Sequence, residues 1–168
     1  MIPQKLNINR NMDVNPPVLT VAELRAHIGQ EVGCASWLTI SQEMIDTFAN
    51  LTNDHQYIHV NQRRAMTETS YGGTIVHGFL TLSMLTQMLI SAVPTITGTS
   101  TSINYGFDKI RFLTPVPSGS AIRGRFTLAA VEERVPNELT VRYETTLEIR
   151  DNNRPALFAD WLVRLYLR

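Results

Sequence analysis

One stretch of 39 residues, at positions 69–107, contains no Asp, Glu, Lys or Arg. Within it, the 15 residues of 79–93 lack Gly and Pro, are rich in Leu and Met, and are followed by Pro94. This pattern predicts a helix that is apolar nearly all round, and therefore buried, ending at the proline. Glycines interrupt the rest of the stretch, so no apolar run reaches the roughly 18 residues of a membrane span. The chain must instead surround this helix with other protein elements.

The segments after the helix have the pattern of β-strands. Residues 139–149 alternate apolar and polar side chains almost without a break, which is typical of a strand with one wet face. Similar strands are predicted at 103–112, 121–131 and 156–167, separated by clusters of turn residues. We expect these four strands to form a meander.

The segments before the helix predict a smaller set of elements. Helices are expected at 21–28 and 42–51, with Thr20 and Ser41 as N-caps, and a strand at 31–40. The whole pattern predicts an α+β fold in which an antiparallel sheet wraps around one long central helix. A single domain is expected over residues 20–168, after a polar N-terminal arm at 1–19 that lacks the apolar core of a signal peptide.

The charge balance and the cysteine content limit the kinds of partner and compartment that we expect. The 15 basic and 15 acidic residues cancel, which argues against nucleic acid and against an anionic membrane surface as partners. Cys34 is the only cysteine, so no internal disulfide can form, and a reducing, cytoplasmic location is expected. An open sheet leaves edge strands to be covered, which favours a homodimer that joins two sheets.

Asp54 and His59 are candidate acid/base groups in the loop after the second predicted helix. A carboxylate and an imidazole on a tight loop can hold one water molecule between them. Each also has an ordinary structural interpretation, since Asp is a common capping residue and a loop His often serves only as a hydrogen-bonding group. A two-His-one-carboxylate metal site from this region remains a third possibility.

His77 and Gly78 stand at the start of the central helix, 18 and 19 residues after His59. Free amides and the positive end of the helix dipole make this position suitable for a developing enolate oxygen. Gly78 would let a carbonyl group approach the backbone closely. The alternative is that glycine here serves only the tight turn into the helix.

The two histidine segments carry a family resemblance. Asp54-His55-Gln56-Tyr57-Ile58-His59, together with Ile75-Val76-His77-Gly78-Phe79-Leu80, resembles the paired motif of the MaoC-like dehydratases, the (R)-specific enoyl-CoA hydratase group, and especially its NodN-like members. The likeness extends to Asn104-Tyr105-Gly106 and to Arg111-Phe112 with Pro115-Val116, and covers roughly residues 20 to 168. Asn53 replaces the Gly usual before the catalytic Asp, but Asn tolerates positive φ, so we expect the turn to survive. Gln56-Tyr57 stands where many hydratases have Asn-Pro.

The resemblance implies a hot-dog fold, a homodimer and reversible hydration of a trans-2-enoyl thioester to an (R)-3-hydroxyacyl thioester. It places Asp54 and His59 as the water-activating pair and the Gly78 amide as the oxyanion donor. The substrate would be an acyl-CoA or acyl-carrier thioester, and neither a metal nor another cofactor is needed.

Other residues are candidates for binding the substrate. His77, Phe79 and Thr86 are predicted to contact it, although the helix residues could equally be plain core. Arg63, Arg64, Lys109 and Arg111 are candidates for the phosphates of the carrier, with ordinary surface charge as the alternative.

Two rival functions remain. One is an acyl-CoA thioesterase on the same fold. Many hot-dog thioesterases, and the dehydratases of fatty-acid synthesis, place a carboxylate on the central helix, and residues 79–93 contain none. The other is a non-catalytic module that binds acyl thioesters, since a fold does not fix a function.

Overall fold

The computed structural model describes residues 16–168, so the predicted arm at 1–19 falls largely outside the described residues. The helices are α1 Val21–Arg25, α2 Gln42–Thr52, α3 Tyr57–Val60, α4 Gln62–Glu68 and α5 Gly78–Ala92. The strands are β1 Val18–Leu19, β2 Glu31–Cys34, β3 Leu38–Thr39, β4 Thr95–Ile96, β5 Thr99–Phe112, β6 Ala121–Val135, β7 Glu138–Ile149 and β8 Leu157–Leu167.

The main sheet is antiparallel and has the order β2-β6-β7-β8-β5, with the short β3 also paired to β6. The predicted four-strand meander is therefore wrong in one respect: only β6, β7 and β8 follow one another, and β5 pairs with β8. The connection from β5 to β6 crosses the end of the sheet and passes the start of α5, where the Val76 N–H donates to the Val116 carbonyl at 2.8 Å. Alternation within a strand predicts its two faces but not its neighbours.

Helix α5 lies against the inner face of this sheet, as the charge-free stretch predicted. The inward side chains of β7 are all 5% exposed or less, and α5 buries Leu80, Thr81, Leu85 and Met88 against the sheet. Gly33 permits the close approach of β2 to the helix, because a Cβ there would lie 2.7 Å from the Ala92 carbonyl oxygen. An antiparallel sheet wrapped around one central helix is the hot-dog fold, and the predicted fold class is confirmed.

The smaller predicted elements are mostly found, with shifted limits. Helix α1 begins at a capping box of Thr20 and Glu23 but ends at Arg25 rather than at residue 28. The predicted strand at 31–40 is divided into β2 and β3, while α2 begins after Ser41 as expected. The short helices α3 and α4 were not predicted.

Two features lie outside the main sheet. Strand β1 pairs in parallel with β4, which ties the residues just before the domain to those just after α5. In the part of the chain that the structure describes, no helix is long and apolar enough to cross a membrane.

Candidate active site

Asp54 occupies a tight turn at the end of α2. Asn53 caps this helix in the left-handed conformation, with φ 58° and ψ 24°, which confirms that Asn can replace glycine here. The turn reverses the chain and leaves the Asp54 side chain 53% exposed. The Gln56 N–H approaches Asp54 Oδ1 at 3.4 Å, which is a long contact.

His59 lies on the single turn of α3 and is 7% exposed. Its Nδ1–H donates to the Ile75 carbonyl at 2.7 Å, because a carbonyl can only accept. In the neutral ring Nε2 is then left as an acceptor. Burial lowers the pKa of His59, and nearby His77 lowers it further, while the bond to Ile75 and the Asp54 charge oppose the change. The imidazole is thus held in a form that can accept a proton.

His77, the residue before α5, is 2% exposed. Its Nε2–H donates to the backbone carbonyl of Asp54 at 3.0 Å and lies 4.0 Å from Asp54 Oδ2. Its ring stacks on that of His59 with centroids 3.8 Å apart and planes inclined by 25°, and Phe48 packs nearby at 5.1 Å. His77 therefore contacts both members of the predicted acid/base pair.

Gly78 is the first residue of the 15-residue helix α5. No side chain among the described residues caps this helix end, so its first amides are free of that competitor. A Cβ at Gly78 would lie 3.2 Å from two ring carbons of Phe112. The absent side chain leaves a narrow passage between the helix N-terminus and Phe112.

A cavity of about 220 Å³ opens beside this helix end. His59, Gly78 and Thr81 contribute polar groups to it. The apolar part of its wall consists of Ile75, Val76, Phe112, Leu113, Pro115, Val116 and Ala156. The cavity brings the imidazole and the start of α5 to one apolar slot, the kind of place where an uncharged chain and a polar head can be held together.

A polar cluster outside the predicted set supports the site. Gln42 donates from Nε2 to the His59 carbonyl at 2.8 Å and accepts from the Thr74 hydroxyl at 2.6 Å. Gln62 Oε1 accepts from the Thr74 N–H at 3.0 Å and also lies 3.0 Å from the Thr74 hydroxyl, whose single hydrogen is donated to the closer Gln42 oxygen. These bonds join α2, α4 and the strand-like segment before α5. Nothing in the sequence pattern distinguishes the two glutamines from surface residues.

The predicted site residues are only partly brought together. His59 and Gly78 line one cavity, and a carboxylate oxygen of Asp54 lies within 4.8 Å of a ring nitrogen of each histidine. Phe79 is 70% exposed and Thr86 is exposed, and neither lines the cavity of the single chain. Their contact with substrate, and that of His77, stays a prediction.

The four candidate basic residues are all exposed. Arg64 is engaged with Glu68 at 2.9 Å and stacks over the Tyr57 ring at 4.0 Å. Lys109 lies 5.9 Å from the centre of the Phe158 ring. These contacts give the two residues ordinary surface roles, and binding of the carrier phosphates stays a prediction.

The site could also be considered for a metal ion. Asp54, His59 and His77 form the one group of such ligands found within residues 16–168, with ligand atoms within 4.8 Å of one another. The His77 nitrogen that lies near the carboxylate, Nε2 at 4.0 Å from Asp54 Oδ2, is already used on the Asp54 carbonyl, so beside it only the carboxylate and the free nitrogen of His59 remain open. Catalytic zinc sites use three protein ligands. The hydrogen-bonded arrangement therefore suits proton transfer better than metal binding.

The fold and the site together define a hot-dog domain with a carboxylate and an imidazole at the N-terminus of its central helix. Comparison with known proteins gives the family. The chain belongs to the MaoC-like dehydratase family: the family model described as MaoC like domain matches residues 23–149. The resemblance found in the paired histidine motifs is thereby confirmed.

Curated relatives match most of the chain. Nodulation protein N from Rhizobium leguminosarum bv. viciae is 48% identical over 144 residues, which are 86% of this chain and 89% of that protein. The 3-hydroxyacyl-thioester dehydratase Z of Mycobacterium tuberculosis is 41% identical over 145 residues, covering 86% of this chain and 95% of the relative.

Solved structures agree on the fold. A MaoC-like dehydratase from Rhodospirillum rubrum superposes with a TM-score of 0.71 at 16% identity, over 89% of this chain and 98% of the other. An (R)-hydratase from A. caviae, described as involved in PHA biosynthesis, superposes with a TM-score of 0.63 at 24% identity, over 81% of this chain and 94% of the other. At these identities the likeness concerns the fold.

Proposed function

We propose that this protein is a hydro-lyase that adds water reversibly to a trans-2-enoyl thioester and forms an (R)-3-hydroxyacyl thioester. The observation that carries the proposal is the placement of His59 and Gly78 on one apolar cavity with the Asp54 carboxylate beside His59. The names of the mycobacterial dehydratase and of the A. caviae hydratase point to the same chemistry.

The geometry suits the capture of one water molecule. A water that donates both of its hydrogens to acceptors about 2.8 Å away spans roughly 4.5 to 4.8 Å between those acceptors. The carboxylate oxygen of Asp54 and a ring nitrogen of His59 lie within 4.8 Å of each other. Because Nδ1 of His59 is occupied by Ile75, its acceptor is Nε2. Both protons of the water would then be held, and a lone pair of its oxygen would be left to attack.

Hydration would proceed by attack of the water oxygen on the β-carbon of the enoyl group as one O–H bond breaks. The proton passes to the Asp54–His59 pair, and the electron pair of the double bond moves to the thioester oxygen. The Gly78 N–H, at the positive end of α5, would donate to this oxygen. The enolate then collapses, and its α-carbon takes a proton from the pair that lies on the same side.

The cavity suits an uncharged acyl group. Its wall is largely apolar, and its roughly 220 Å³ lie below the about 300 Å³ at which drug-sized pockets begin. A single chain therefore offers space for the reacting end of a short acyl chain, and the thioester carrier would remain outside.

The test follows the loss of the conjugated-enoyl absorbance with crotonyl-CoA and longer enoyl-CoA substrates. We expect the wild type to be active and Asp54→Asn and His59→Gln each to lose at least about two orders of magnitude in kcat. His55→Gln, which changes an exposed histidine of the same loop, is the matched control. The product configuration is read with a dehydrogenase specific for (R)-3-hydroxyacyl thioesters. Activity should survive EDTA, because no step requires a metal.

The same samples separate the rival functions. Release of free thiol from saturated acyl-CoA, together with no 3-hydroxyacyl product from enoyl-CoA, would indicate a thioesterase. Binding of enoyl-CoA with no turnover on any chain length, in a wild type no faster than its two variants, would indicate a binding module. Either result would end the hydratase proposal.

The hydratase is further proposed to act as a homodimer. Strand β5 has 14 residues and pairs only with β8 among the described strands, so its other edge is open. Along this edge Ile103 and Tyr105 are 41% and 53% exposed, while Ile90 on α5 is 71% exposed. Apolar exposure beside an open edge favours a second copy. Light scattering should give a mass twice that of one chain for the wild type. The Ile103→Glu variant should shift the measured mass towards that of a single chain. A wild type that is monomeric at high concentration would contradict the dimer.

A further inference from the structure

We propose that His77 is a positioning residue that joins the two halves of the acid/base pair: it anchors the backbone of Asp54 and sets the plane of the His59 ring. This inference rests on the hydratase function proposed above. It gives His77 a role different from the substrate contact that the sequence suggests, because its side chain is 2% exposed and does not line the cavity.

The first contact fixes Asp54. The carboxylate is 53% exposed, and its contact to the Gln56 N–H is long at 3.4 Å. The backbone carbonyl of the same residue receives the His77 Nε2–H at 3.0 Å. The position of the carboxylate is therefore set through its backbone, which His77 holds against the start of α5. Loss of this bond would let the turn after Asn53 move the base relative to the water.

The second contact fixes His59. A ring that hydrogen bonds through one nitrogen can still rotate about that bond, and stacking at 3.8 Å removes this freedom. Phe48 lies 5.1 Å from the His77 ring and supports it from α2. The direction of Nε2 of His59 is thus determined by the Ile75 bond and by the flat surface of His77 together.

The hydrogen bonding of His77 argues against a role in proton transfer. Its Nε2 must carry a hydrogen to bond a carbonyl, so Nδ1 is the bare nitrogen of the neutral ring. This Nδ1 is buried and has no partner among the described residues. A second proton at Nδ1 would be buried and would have no acceptor among the described residues. His77 can hold its neighbours, but it has no partner for passing a proton to substrate.

Two substitutions separate the anchoring bond from the stacking. His77→Gln keeps an N–H donor near the position of Nε2 and loses the ring, whereas His77→Phe keeps a ring and loses the donor. We expect His77→Phe to lower kcat by about 100-fold, the effect of a misplaced catalytic group, with KM changed less than about threefold. His77→Gln should recover at least about tenfold of this loss. His55→Phe makes the same change at an exposed histidine next to Asp54 and should leave both constants unchanged.

The kinetic constants of the two His77 variants distinguish positioning from substrate binding. Equal kcat in His77→Phe and wild type, or no recovery in His77→Gln, would overturn the inference while leaving the hydratase function intact. A rise in KM without a fall in kcat would assign His77 to substrate binding instead. A wild type inactive on every enoyl thioester would refute the proposed function, and the next measurement then decides the inference alone.

Nitrogen-15 NMR of the imidazole rings tests the arrangement without substrate. The chain has 4 histidines, so single substitutions assign every signal. We expect His77 to carry its proton on Nε2 and His59 on Nδ1 in the wild type at neutral pH. In His77→Gln, which removes the stacked ring, the signals of His59 should broaden or shift as its ring loses its fixed plane. A proton on Nδ1 of His77, or unchanged His59 signals in His77→Gln, would refute the positioning role.

Discussion

Gly78→Ala tests whether the first amide of α5 receives the thioester oxygen. The new Cβ would lie 3.2 Å from two ring carbons of Phe112. Ordinary carbon contacts begin at about 3.5 Å, so the ring must move by only a few tenths of an ångström. Phe112 is 49% exposed and can swing outwards. Because the same ring lines the cavity, the added methyl occupies the passage by which the oxygen would reach the amide.

The effect on folding should be small. Displacing a side chain from its preferred rotamer costs about 0.5–1.5 kcal/mol, and Ala in a helix recovers up to about 1 kcal/mol relative to Gly. The free energy of unfolding should therefore change by less than about 1 kcal/mol, or roughly 2–4 °C in Tm. Catalysis should suffer much more: losing access to one oxyanion donor costs about two orders of magnitude, equal to about 2.7 kcal/mol of transition-state stabilisation.

The assay measures kcat/KM for Gly78→Ala on crotonyl-CoA, with Ser83→Ala on the exposed second turn of α5 as the control for changes in the helix. The double variant Gly78→Ala with Phe112→Leu separates two causes. If displacement of Phe112 were responsible, the smaller leucine would restore activity; if the methyl blocks the amide, it would not. A Gly78→Ala enzyme within about threefold of the wild type would refute the oxyanion role.

Two further predictions concern the segment from Asn53 to His59. Burial lowers the pKa of His59, so the unfolded chain binds a proton that the folded chain excludes, and the contribution of this group to stability is present above about pH 6.5 and lost as the pH falls through the lowered value. Urea midpoints of the wild type should therefore decline below pH 6.5 more steeply than those of His59→Gln, and parallel curves would contradict this. Asn53→Val places a β-branched residue at φ 58° and should lower the free energy of unfolding by about 1–2 kcal/mol, whereas Asn53→Gly should not lower it. Thermal melts of the two variants test this. Equal melting temperatures would show that the Val variant is not strained at this turn.

The fold was predictable where one pattern extends over many residues. The 12 residues of β7 alternate regularly, and the charge-free stretch around α5 permits only a buried helix. Helices α3 and α4 have 4 and 7 residues, too few for a periodic pattern to emerge. The pairing of β5 with β8 depends on a crossing connection, which alternation along a strand does not encode.

The candidate site was predictable as residue types but not as contacts. The motif placed Asp54, His59 and Gly78 in one neighbourhood, and Asn53 was understood from its tolerance of positive φ. The stacking of His77 on His59 arises because α2, α3 and the start of α5 meet, which spacing in the sequence cannot supply. Leu113 and Ala156 reach the cavity from the ends of different strands, so only the sheet order brings them together.

The parallel pairing of β1 with β4 determines where attachments to this domain can be made. Helix α5 has 15 residues, so β4 begins roughly 22 Å along the axis from Gly78. Strand β1, near the start of the described residues, therefore lies at the C-terminal end of α5, whereas the reacting groups lie at its N-terminal end. Val18 is 64% exposed, so a fluorophore or an immobilisation tag attached there should leave turnover unchanged. The fluorophore would also report whether β1 stays paired with β4.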